Sequence, residues 1–154
     1  MKRMQELLEE YGESHRNETN KLIHWICVPA IFFSITGLLY CIKLPLYINE
    51  FRINLAVIAL VVVWVYYFRL SPALSVGMLF FGAACIALCH FIEVHGFAPL
   101  WVYSVLMFAL AWVGQFLGHK IEGKKPSFLK DVQFLLIGPA WLMSFVYRKM
   151  GLRF

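Results

Sequence analysis

Four long apolar runs alternate with short polar joints along the chain. They cover residues 25–42 (18 residues), 53–68 (16), 73–92 (20) and 97–117 (21). Each approaches the ~20 residues a helix needs to cross ~30 Å of hydrocarbon. Helices are required there, because lipid offers no partner to loose backbone amides. Trp25, Tyr40, Trp64, Tyr66, Tyr67 and Trp101 sit near run ends, as an aromatic belt would. A fifth run, 132–147, has 16 residues and is interrupted by Gly138-Pro139. Proline removes a helix donor and clashes with the preceding turn, so this run is expected to be a broken, interfacial or half-inserted helix, with a full fifth span as the alternative. The pattern predicts one membrane domain over residues 1–154. It is an all-α polytopic helical bundle of four transmembrane helices plus the broken fifth. Residues 1–24 are read as a charged amphipathic leader with no cleavable signal peptide. Residues 118–131, with Gly123, Lys124, Lys125 and Pro126, are read as a polar loop or a helix end.

Composition narrows the class. Of 154 residues, 61% are apolar and only 15% charged, against roughly 25% charged in an average globular domain. Nucleic-acid binding through a basic soluble face is excluded on these numbers, as is disorder. Cys27, Cys41, Cys85 and Cys89 lie within or at the ends of apolar runs without zinc-type spacing, and no structural disulfide is expected. The formal charge of +5 becomes a topology signal. Four crossings put Lys2, Arg3, Arg16, Lys21, Arg69, Lys120, Lys124, Lys125 and Lys130 on one side and Lys43 and Arg52 on the other. The cation-rich side is expected to be cytoplasmic. That places the chain in a bacterial inner membrane, or in the endoplasmic reticulum of a eukaryote.

Polar groups near membrane depth are costly and point to function. In the stretch 15–24, HRNETNKLIH, the residues Asn17, Asn20 and His24 share one helical face. His15 lies about half a turn out of phase with His24 on a continuous helix. The two imidazoles converge only if a helix starts or bends between them, and Asn17 is a suitable N-cap. A solvated leader with incidental histidines is the plainer alternative. His119 and Glu122, at i,i+3, also share a face and suit a metal such as iron, manganese or zinc. A helix end with an ordinary charged surface is the competing reading. A second His-x-x-Glu, His90 to Glu93, followed by His95, is separated from the first by the bilayer and is expected to be structural. No phosphate loop or serine triad is present in the sequence.

Two blocks carry a resemblance: Tyr11…His15-Arg16-Asn17…Asn20-Lys21-Leu22-Ile23-His24…Pro29, and Gln115-Phe116-Leu117-Gly118-His119…Glu122…Pro126, followed by Gly138-Pro139. They resemble the 2-hydroxy fatty acid dioxygenase family, whose fungal member acts in phytosphingosine breakdown. The resemblance implies a small multi-span membrane enzyme that uses Fe(II) and O₂ to cleave C1–C2 of a 2-hydroxy fatty acid. The products are CO₂ and the acid one carbon shorter. It maps His15, His24 and His119 as the metal site, to which the spacing argument adds Glu122. Asn17 and Asn20 are expected to orient ligands or substrate. Lys21 and Lys124 are expected to draw the anionic headgroup to the bilayer surface. A non-catalytic lipid-binding or transport protein, and a zinc-dependent membrane hydrolase, are the alternatives.

Overall fold

The computed structural model describes residues 2–49, 51–123 and 128–154. Six helices follow one another: α1 (Lys2–Glu13), α2 (Glu18–Tyr40), α3 (Leu55–Leu70), α4 (Pro72–His95), α5 (Leu100–Glu122) and α6 (Phe128–Lys149). A hairpin of β1 (Lys43–Ile48) and β2 (Phe51–Asn54) joins α2 to α3. The strands pair antiparallel, with Lys43 opposite Asn54 and Ile48 opposite Phe51, and Asn49 takes a positive φ at the turn.

Among the described residues, three helices are long and apolar enough to cross a membrane: α2, α4 and α5. Helix α3 is equally apolar but has only 16 residues. Many of the large apolar side chains on these helices face outward, among them Ile26, Phe80, Leu106 and Leu110. That surface belongs in hydrocarbon, not water.

Helices α2 and α5 share the longest interface, and they run antiparallel. Gly118 meets Asn20 and His24, Gly114 meets Cys27, and Gly37 meets Ser104. Gly114 and Gly118 are one helical turn apart. This small-xxx-small spacing lets two backbones approach where lipid supplies no hydrophobic force between helices. A methyl group at Gly114 would lie 2.5 Å from the Cys27 sulfur.

Helix α1 is amphipathic. Met4, Leu8 and Tyr11 are buried along one face, in a cluster with Ile137, Trp141 and Leu142 of α6 and Tyr67 of α3. Further along α6, Leu135 and Leu136 line a cavity with Ile35, Thr36 and Leu39 of α2 and Ala59 and Leu60 of α3, so the helix packs into the bundle.

The observed elements extend or differ from the sequence expectation in four places. Helix α2 starts at Glu18, seven residues before the first apolar run, because Asn17 caps it as expected. The Asn17 side chain accepts from the Thr19 and Asn20 amides at 2.9 and 3.2 Å. The joint at 43–52 is a hairpin rather than a plain linker. Residues 118–122 form the last turn of α5, which ends on Gly123 at φ 73. Finally, α6 runs through Gly138-Pro139 as one helix, so the expected break is absent. Proline deprives the Leu135 carbonyl of its intrahelical donor. The Tyr67 hydroxyl of α3 donates to the neighbouring Leu136 carbonyl, satisfying the backbone beside the proline from outside.

Candidate metal centre

The chain turns sharply between α1 and α2. His15 sits in that turn, two residues before the Asn17 cap, and folds back over the first turns of α2. His24 lies on the same side of α2, two turns in. His119 comes from the last turn of antiparallel α5. One ring nitrogen from each of the three lies within 4.8 Å of the other two. The ring centroids are 4.2 Å apart for His15–His24, 5.1 Å for His24–His119 and 5.6 Å for His15–His119. His15 and His24 are buried.

Backbone carbonyls set the tautomers. His15 Nδ1 lies 2.6 Å from the Tyr11 carbonyl and His24 Nδ1 2.9 Å from the Asn20 carbonyl. A carbonyl can only accept, so each Nδ1 carries the proton and each Nε2 carries a lone pair. This is how metal-ligating histidines are held. His24 Nε2 is buried and has no hydrogen-bond partner among the described residues. Burying an unsatisfied ring nitrogen costs free energy, and a divalent ion facing three imidazoles removes that cost. The donor set suits borderline metals such as iron or zinc.

A clamp holds the three contributors in place. Glu122 Oε1 accepts from the Arg16 amide, and Oε2 from the Asn17 amide and Asn20 Nδ2, each at 3.0 Å. The carboxylate thus closes the N-terminus of α2, where the helix dipole favours negative charge. Asn20 is buried and links the pieces: Nδ2 binds Glu122 and the Ser14 carbonyl, and its own carbonyl receives His24. Gly118 presses against it, leaving no room for a side chain.

The family model described as 2-hydroxy-palmitic acid dioxygenase Mpo1-like matches residues 1–150. The chain belongs to the Mpo1-like family. It is 28% identical over 145 residues to the protein of Saccharomyces cerevisiae (strain ATCC 204508 / S288c) named 2-hydroxy-palmitic acid dioxygenase MPO1. The match covers 92% of this chain and 78% of the yeast protein. No solved structure matches the chain.

In this Mpo1-like chain the three histidines meet, while Glu122 stands beside them with both oxygens on amide donors. Lys21 lies 2.8 Å from Glu18 on the exposed face of α2. Lys124 and Lys125 fall outside the described residues. The second His-x-x-Glu is at the other end of the bundle, about 24 Å along α2 from His24. There His90 Nδ1 is 3.3 Å from the Tyr40 hydroxyl and Glu93 pairs with Lys43. Sequence reasoning assigned no role to Tyr11 or Trp141. Tyr11 stacks on His15 at 4.2 Å, and Trp141 of α6 packs 5.5 Å from the same ring. The i,i+4 spacing of Tyr11 and His15 was a usable signal; Trp141 offered none.

Replacing Glu122 by Gln puts an NH₂ group against backbone donors. The expected cost is on the order of 1 kcal/mol, read as a lower melting temperature of the metal-free protein in detergent. An unchanged melt would show the clamp to be idle.

Proposed function

We propose that the chain is an iron-dependent dioxygenase that shortens 2-hydroxy fatty acids by one carbon. The observation that carries this reading is the meeting of His15, His24 and His119 in a chain of the Mpo1-like family. The name of the yeast relative supports the substrate class. The overall reaction balances without a separate reductant: R–CH(OH)–COOH + O₂ gives R–COOH + CO₂ + H₂O.

His15, His24 and His119 would hold the ion through their ring nitrogens. Once bound, the iron supplies a centre at which O₂ and the hydroxy acid exchange electrons. The Tyr11 and Asn20 carbonyls keep both Nδ1 protons in place, so neither ring rotates away. Glu122 and Asn20 fix the distance between the α2 start and the α5 end. Tyr11 and Trp141 cover the His15 ring and keep bulk water from that side. Glu122 acts here as a positioning residue, with its carboxylate committed to amide donors.

Four crossings follow from parity. His24 near the start of α2 and His119 at the end of α5 share one end of the bundle, and Tyr40 and His90 share the other. With α2, α4 and α5 crossing, α3 must cross as well, its 16 residues reaching about 24 Å. We assign the histidine end to the cytoplasm on the cation count. In a background without native cysteines, Tyr47→Cys is expected to label with an impermeant maleimide on intact cells. Glu10→Cys and Lys120→Cys are expected to label only after lysis. Opposite behaviour of Glu10→Cys and Lys120→Cys would contradict this topology.

Iron content and turnover of 2-hydroxypalmitate by anaerobically purified protein test the function itself. A protein that retains zinc alone and consumes no O₂ would favour a hydrolase.

A further inference from the structure

A cleft of about 320 Å³ opens beside the histidines, between α1, the His15 turn, the start of α2 and the last turns of α6. Its walls divide by chemistry. Leu8, Trp141 and Phe145 make an apolar side, and buried His15 lies on the same lining. Three cations share the lining: Arg16 from the turn, Lys21 from α2 and Arg148 from α6. Glu9 is the one acidic lining residue, and Lys21 is already drawn toward Glu18. Arg16 and Arg148 bring two guanidinium-bearing side chains to the lining from different elements, the Arg148 guanidinium lying 5.9 Å from the Phe154 ring. Neither has an ion-pair partner among the described residues.

An apolar wall under a cationic rim matches an amphipathic anion. Guanidinium groups bind carboxylates through paired N–H donors, more specifically than ammonium does. We propose that this cleft is the headgroup site for a long-chain carboxylate, with Arg16 and Arg148 binding its oxygens beside His15. This rests on the function proposed above and adds the residues that select the free acid over neutral lipids.

The test separates binding from turnover. Palmitate lacks the 2-hydroxyl group and reads the cleft alone; methyl palmitate has the same tail without the charge. Equilibrium binding of both to the detergent-purified wild type, Arg148→Gln, Arg148→Lys and Arg16→Gln/Arg148→Gln is measured. Palmitate affinity should fall tenfold or more in the double variant and recover partly with Arg148→Lys. Methyl palmitate binding should stay constant, which also reports that the variants are folded. Turnover of 2-hydroxypalmitate by the same proteins should show a raised KM with little change in kcat and unchanged iron content. Equal palmitate affinity in wild type and double variant, or no palmitate binding by the wild type, overturns the headgroup site. Tight, arginine-dependent palmitate binding without any turnover of the hydroxy acid leaves the cleft standing and refutes the dioxygenase reading instead.

Discussion

His119→Ala protein is expected to insert into membranes at normal levels, yet to retain no iron and to turn over no 2-hydroxypalmitate. His119 is the sole described contribution of α5 to the histidine cluster, and it faces His15 and His24 from the opposite helix. Removing it leaves two imidazoles from one side. Loss of a partner outside the first coordination sphere already costs 10–100-fold, so loss of a ligand should exceed about a hundredfold. Insertion should survive, because the α2–α5 interface continues through Gly114, Cys27, Ser104 and Gly37, away from the ring. His95→Ala is the control. His95 is exposed at the far end of α4, against Phe91, and its loss should leave activity unchanged. Iron measured by elemental analysis, with the protein quantified in the same fraction, decides both cases.

Gly118→Ala is expected to damage the same centre without replacing a ligand. An added methyl would enter the Asn20 amide oxygen and stand 3.2 Å from His24 Cε1. Alanine favours a helix by up to ~1 kcal/mol over glycine, but overpacking of this kind costs about 1–3 kcal/mol. The neighbour cannot yield cheaply, since Asn20 is tied to Glu122 and Ser14 and its carbonyl receives His24. Iron affinity should fall 10–100-fold while the protein remains folded by circular dichroism. Gly123→Ala, at a positive φ with open space around it, should cost some stability but leave iron binding near wild type. If Gly118→Ala binds iron as tightly as the wild type, the Asn20–His24 contact does not govern the site.

These outcomes bear on what the sequence could reveal. The histidine trio was legible because Asn17 offers a cap between His15 and His24, and because four expected crossings would return His119 to the same side. The Asn17 cap is present as expected. The hairpin at 43–54 was hidden because Lys43 and Arg52 mark that stretch as a polar joint, while Leu44, Leu46, Ile48 and Ile53 supply the strand character. The continuity of α6 was hidden because its support comes from Tyr67, 69 residues away. Sequence spacing around Pro139 carries no trace of that donor. Glu122 was legible as a partner of the site but not as a clamp. At i,i+3 from His119 a carboxylate suits either role. Only the position of the α2 N-terminus, with three N–H donors turned toward it, separates the two. The close approach at Gly118 was available in principle, since two glycines four apart in an apolar run signal helix contact.

Oxygen uptake by the Fe(II)-reconstituted wild-type protein, supplied with 2-hydroxypalmitate and followed together with the C15 acid formed, tests the central claim most directly. One O₂ consumed for each C15 acid produced is the predicted result, with neither change in the His24→Ala protein. No uptake by a wild-type protein shown to carry iron would contradict it.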